Sequence, residues 1–186
     1  MDWSPDGRHL LYSELGRSFD LWLLPLDGGA PVPLLETPFD EFDGQFSPDG
    51  RWIAYTSNES GRNEVYSTAV RDPGAAFRGR WPVSNQGGRA PRWRGDGQEL
   101  FYLAAGSRAV TSADIRGTPG GIETGTPREL FDASIPAEAG DWLYPYDVAA
   151  DGERFLIQEP AETTSSPLTV VLNWQAKLNA ARSRSH

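Results

Sequence analysis

The chain has 186 residues, 38% hydrophobic and 11% aromatic, with 20 glycines, 15 prolines and no cysteine. Its net charge of −9, with a single lysine (Lys177) and dispersed arginines, excludes the clustered cations that binding along a nucleic-acid backbone requires, and the missing thiols exclude disulfides and thiolate metal sites. No apolar run reaches the roughly 18 residues needed to span a membrane, and no charged-then-apolar leader opens the chain, so neither a membrane segment nor a signal peptide is expected.

The first legible element is "WSPDGRHLLY" (Trp3 to Tyr12): an Asp-Gly turn between two short apolar runs. Glycine accepts a positive φ without steric cost, so this phrase predicts a tight hairpin. A strand "DLWLLPL" (Asp20 to Leu26) and an edge-like strand "PVPLLE" (Pro31 to Glu36) follow. The same grammar then returns as "FSPDGRWIAY" (Phe46 to Tyr55), "EVYSTAV" (Glu64 to Val70) and "RWPVS" (Arg80 to Ser84). A third unit reads "WRGDGQELFY" (Trp93 to Tyr102), "RAVTSADI" (Arg108 to Ile115) and "PRELFD" (Pro127 to Asp132). A fourth reads "VAADGERFLI" (Val148 to Ile157) and "LTVVLNW" (Leu168 to Trp174), with no fourth strand behind it. Proline suits the edge strands, where a missing N–H breaks no ladder.

The turn aspartates are Asp6, Asp49, Asp96 and Asp151, a period of roughly 40 to 50 residues that lengthens in the last unit. Four strands per unit at that period predict an all-β propeller of about four blades, the last one incomplete. The blades are expected at roughly 1–38, 39–86, 87–135 and 140–176, with a tail over 177–186 that includes a short helix. An open sandwich with unrelated Asp-Gly turns is the plainer alternative.

"FSPDGRWIAY" with "NESGRNEVY", "SFDLWLLPLDG", "GGRAPRWRGDGQELFYL", "YDVAADGERFLI" and "SSPLTVVLNWQAKL" resembles the repeats of TolB-like, WD-type β-propellers. Across nearly the whole chain these phrases look like the C-terminal propeller of membrane-anchored bacterial Ser/Thr protein kinases. The chain carries no Gly-rich loop, His-Arg-Asp or Asp-Phe-Gly, so no kinase activity is implied. What the resemblance implies is a fragment of a larger signalling protein, extracytoplasmic in its parent, acting as a sensor or scaffold. Such propellers are larger, and open sheet edges invite pairing. The expectation is therefore a ring that closes on itself or on a second copy, with a homo-oligomer, a dimer, favoured.

Propeller function usually lies at the mouth of the central channel, among the innermost strands. The candidates there are Asp40, Glu41, Asp43, Arg89, Arg92, Trp142, Tyr144, Tyr146 and Asp147. They suggest a mouth that takes a protein, a peptide or a small molecule. Carboxylates converging on an axis also suit a hard cation such as Ca²⁺, with Glu41, Asp43 and Asp147 as candidate ligands. That reading leads to a hydrolase of lactones, esters or phosphotriesters. The plainer reading of Asp40, Glu41 and Asp43 is a solvated acidic loop. The two histidines, His9 and His186, have no nucleophile elbow to serve. Trp22, Trp52, Trp81, Trp93 and Trp174 are expected in the cores between sheets. Trp3 is expected to be exposed.

Overall fold

In the computed structural model, the described residues are 1–70, 79–106, 109–133, 145–158 and 169–171, and among them every regular element is a β-strand. The first sheet runs in the order β1 (Asp2–Trp3), β2 (His9–Leu15), β3 (Phe19–Pro25) and β4 (Val32–Leu35), all antiparallel. The second repeats it with β5 (Glu41–Phe46), β6 (Trp52–Ser57), β7 (Glu64–Ala69) and β8 (Arg80–Pro82). The third holds β9 (Gly88–Trp93), β10 (Glu99–Ala104), β11 (Ala109–Thr118), β12 (Gly121–Thr124) and β13 (Arg128–Asp132). Both β12 and β13 lie along the far side of β11, at successive stretches of it. The fourth sheet has β14 (Tyr146–Val148), β15 (Phe155–Ile157) and β16 (Thr169–Val171). The expected series of antiparallel sheets, with three strands described in the last, is present. The β11–β12 hairpin was not expected, although Pro119-Gly120-Gly121 is a turn signal. The tail expected to hold a short helix lies outside the described residues.

One turn builds the inner hairpin of every sheet. The amide of Gly7, Gly50, Gly97 and Gly152 donates to the carbonyl three residues back, at 2.8–2.9 Å. Each of these glycines is left-handed, with φ of 69–72°. The turn aspartate accepts a further backbone N–H two residues on, as Asp49 Oδ1 does from Arg51 at 3.0 Å. This is a four-residue hairpin loop built on a turn whose glycine takes the left-handed position. It fixes the register of every strand pair that follows.

Register then decides which side chains face which neighbour, because side chains alternate across a strand. The fifth residue after each turn aspartate is Leu11, Ala54, Phe101 or Leu156, and in the first three sheets it points to the following sheet. The fourth and sixth are Leu10 and Tyr12, Ile53 and Tyr55, Leu100 and Tyr102, Phe155 and Ile157, and in the last three sheets they point to the preceding one. Three cores result. Leu11, Leu21, Leu23 and Leu35 pack against Phe46, Ile53, Tyr55 and Tyr66. Ala54, Val65 and Val83 pack against Trp93, Leu100 and Tyr102. Phe101, Leu103, Val110 and Leu130 pack against Tyr146, Phe155 and Ile157. Phe155 takes two edge-on rings, Phe101 and Phe131, each with its centroid 5.1 Å away.

Each sheet thus stacks on the next through its innermost strand: β2 and β3 on β5, β6 and β7 on β9, and β9 on β14. Among the described residues the first and fourth sheets do not meet, and the ring is not closed. Trp52 and Trp93 are buried as expected, and Trp81 meets Trp52 edge-on at 5.3 Å. Trp22 departs from expectation and is half-exposed, because it lies on the uncovered face of the first sheet beside Tyr12. Trp3 on the same face is 61% exposed, as expected. Trp174 lies outside the described residues.

Gly44 marks the tightest approach between the first two sheets. A Cβ there would stand 2.7 Å from Leu11 Cδ2 and 3.1 Å from Leu21 Cδ2, both fully buried. Gly44→Ala should therefore cost about 1–3 kcal/mol, the range for overpacking a filled core, measured as a lower urea midpoint with an unchanged slope.

Candidate functional site

The innermost strands β5, β9 and β14 converge and bring together Asp43, Arg89, Arg92, Tyr146 and Asp147. Two of these strands carry the same irregularity. Among the described residues, Asp43 and Ala90 are the non-glycine residues of positive φ, at 55° and 54°, and both lie six residues before a turn aspartate. The pairing of β5 with β6 and of β9 with β10 shifts register at these points. A bulge with a left-handed residue bends the inner strand and re-aims its side chain. Aspartate tolerates that backbone better than most residues.

At β5 the bulge turns a carboxylate inward. Asp43 is 6% exposed. Burial pushes its carboxyl up to about 6, against the opposing pull of the Arg92 and Arg89 guanidinium groups. Thr56 bridges the two bulges: its hydroxyl lies 3.5 Å from Asp43 Oδ2 and accepts the Ala90 N–H at 3.2 Å. From β14, the Tyr146 hydroxyl donates to the Ala90 carbonyl at 2.8 Å. That phenol is 3% exposed, and burial raises its proton affinity well above the ordinary tyrosine range. Arg92 donates to its neighbour's carbonyl, Pro91 O, at 2.8 Å and meets Asp147 Oδ1 at 3.3 Å. The Asp147 side chain is 66% exposed, so the ensemble is buried on one side and open on the other.

The remaining acidic candidates do different work. Asp40 accepts the Phe19 N–H at 3.0 Å and the Asn58 amide at 2.7 Å, while its own N–H donates to Asn58 Oδ1 at 3.0 Å. It ties the first sheet to the second. Glu41 is 1% exposed and accepts from Thr37 at 2.6 Å and Ser57 at 3.4 Å; burial raises its carboxyl. The three acids of this stretch are therefore not a solvated loop: their backbone forms β5 and the junction before it, which the first sheet covers. Nor do Glu41, Asp43 and Asp147 gather as a cation site. Among the described residues no three Asp, Glu or His side chains are grouped to hold a metal ion. Glu41 turns to Thr37 and Ser57, Asp43 to the arginines, and Asp147 to Arg92 and solvent. Tyr146 is a buried strut rather than a rim aromatic. Trp142 and Tyr144 lie outside the described residues.

Other polar side chains of the turns are held within the scaffold. The Arg94-Gly95-Asp96 stretch closes on itself, with Arg94 held by Asp96 at 2.8 Å and by Glu99 at 2.7 Å. Asn58, in an Asn-Glu-Ser sequence, is occupied by Asp40. Thr56 was missed in the sequence, because nothing in a strand pattern says that one hydroxyl will face two bulges.

No known family profile matches the chain. Among curated proteins it is 30% identical over 69 residues to an uncharacterized protein of Agrobacterium fabrum, a stretch of 37% of this chain and 24% of that one. Among solved structures it is similar to TolB from Acinetobacter baumannii (17% identity, TM-score 0.64, 92% of this chain and 40% of that chain). It is also similar to a puromycin-hydrolyzing peptidase of Mycobacterium tuberculosis (22% identity, TM-score 0.58, 83% and 27%). The periplasmic gluconolactonase of Pseudomonas aeruginosa is a third such structure (19% identity, TM-score 0.50, 83% and 48%). The chain spans less than half the length of each of these proteins. The shared feature is the fold: stacked antiparallel sheets of the TolB-like propeller type.

The raised Asp43 carboxyl has a definite sign. A folded-state value above the unfolded one contributes stability that is complete below about pH 4 and is lost as pH rises through about 6. A shift of about two units corresponds to ~3 kcal/mol. Urea unfolding at pH 4 and at pH 7.5 should show the wild type losing stability relative to Asp43→Asn by an amount of that order. Parallel pH profiles for the two proteins would mean that folding does not raise the Asp43 carboxyl.

Proposed function

We propose that this chain is a β-propeller binding module, the sensor or scaffold part of a larger extracytoplasmic signalling protein with no kinase activity of its own. Its partner is a protein or peptide that docks at the channel mouth. The observation that carries the reading is the half-open polar ensemble on β9 and β14. Asp147 offers an exposed carboxylate, oriented by the largely buried Arg92 guanidinium beside it, on a backbone held by buried bonds from Thr56 and Tyr146. Preorganised polar groups at the rim of a rigid scaffold suit recognition, because little ordering is left to occur on binding. The likeness to TolB-type sheets supports the scaffold; the kinase parent rests on the resemblance of the repeat phrases alone.

A hydrolase of lactones, esters or phosphotriesters is the second reading. It draws on the Asp43 carboxyl, which changes charge near pH 6, a range useful to a general base. A gluconolactonase and a peptidase among the solved structures share these sheets. A calcium ion for that chemistry would need ligands beyond the described carboxylates.

Peptide-library selection on the immobilised chain separates the two. The binding reading expects enriched peptides whose affinity falls at least tenfold on Arg92→Ala or Asp147→Ala and is unchanged on Arg116→Ala, at a distant exposed pair. No enrichment, together with chelator-sensitive turnover that Asp43→Asn abolishes, would replace binding with hydrolysis.

A further inference from the structure

The seams between sheets follow one rule: a fifth-position face meets a fourth-and-sixth-position face. Applied to the two ends of the array, the rule leaves one face of each kind uncovered. On the first sheet, Leu10 and Tyr12 are half-exposed, while their counterparts Ile53, Tyr55, Leu100, Tyr102, Phe155 and Ile157 are at most 3% exposed. Trp3, the counterpart of Phe46 and Trp93, is 61% exposed against their 6% and 5%. Trp22 extends this face, in register with Tyr12. On the fourth sheet, Leu156 is 44% exposed, while Leu11, Ala54 and Phe101 at the same position are fully buried.

The polar rim repeats the match. Asp2 accepts the backbone N–H of Phe46 in the next sheet at 2.8 Å, and Gln45 accepts that of Trp93 at 2.9 Å. Asp147 occupies the same repeat position on the fourth sheet, exposed, with no described sheet beyond it. The residue in the first sheet that corresponds to Phe46 and Trp93 is Trp3.

We propose that the two faces are the halves of one seam, and that a second copy of this chain completes it. Sheet four of each copy stacks on sheet one of the other, giving a two-fold ring of eight sheets. Among the described residues both halves are present and lie apart, so a second copy of this 186-residue chain supplies each missing half at once, in the place that flanking sheets would take in a longer protein. Eight blades lies within the range of known propellers, and the solved structures sharing these sheets are at least twice as long as this chain's match to them. A closed ring removes both exposed faces by repeating a contact already made three times within the chain.

The test is the solution mass of the full chain and of two variants. Wild type should sediment at twice the 20.4 kDa chain mass. Trp22→Glu and Leu156→Glu, both at exposed or half-exposed positions, should each weaken the dimer at least tenfold while keeping the wild-type circular dichroism. Mixing the two variants restores one unaltered seam, between Leu156 of the first and Trp22 of the second, so the mixture should dimerise more tightly than either alone. A wild-type monomer at all concentrations would overturn the proposal and assign the face to a sheet from outside the chain. A dimer indifferent to both variants, or a mixture no tighter than its components, would overturn it equally.

Discussion

Every sheet in this molecule is apolar on both faces, and that constraint governs the rest. A sheet with one wet face can end a structure; a sheet with two dry faces needs a neighbour on each side. The alternation of side chains along β6 shows how strict this is. Ile53 and Tyr55 go to one core, and Ala54 with Trp52 goes to the other, within four consecutive residues. A slip of one residue would exchange the two sets and leave both seams unfilled. The Asp-Gly turn matters for this reason. It sets the register from which the cores follow, and its four copies keep one geometry to within a few degrees of φ.

Stacking two-faced sheets has a consequence for the inner strands. They approach one another closely toward the axis. Gly44 and Gly88 answer with absent side chains, each with a neighbour's atoms within 3 Å of where a Cβ would stand. Bulges answer at Asp43 and Ala90. The bulge at Asp43 turns a carboxyl into a buried position, which would be costly alone. Arg92, Arg89 and the Thr56 hydroxyl offset that cost. The polar ensemble is thus a product of the stacking, and its residues were selected by sites that three sheets share.

This division explains what was legible in the sequence. The repeat, the strand order and the identity of the core residues follow from local signals: a turn with one chemistry, and apolar runs at a fixed distance from it. Trp3 could be expected on the surface because no earlier repeat unit is legible in this sequence to cover it. The inner-strand chemistry was only half legible. Asp40, Glu41 and Asp43 were visible as acids, but their separate fates depend on Asn58, Thr37 with Ser57, and Arg92, which come from other strands or other sheets. Trp22 was misplaced for the opposite reason. Its strand pattern is that of a core tryptophan, and the sheet that would cover it is not among those described.

The open seam and the polar ensemble are therefore one question. Asp2 and Gln45 each link an inner strand to the next, and Arg92 breaks that series because a guanidinium has no acceptor to offer. Asp147 meets Arg92 instead and still faces outward at the end of the array. Any sheet that covers Leu156 must bring its own inner strand beside Asp147. Closing the ring would bury the exposed carboxylate of the Arg92–Asp147 pair, and a buried pair in a drier setting binds its remaining partners more strongly and tolerates their loss less well. Whatever covers the fourth sheet thus sets the polarity of the channel mouth, and with it the ligands that the mouth admits.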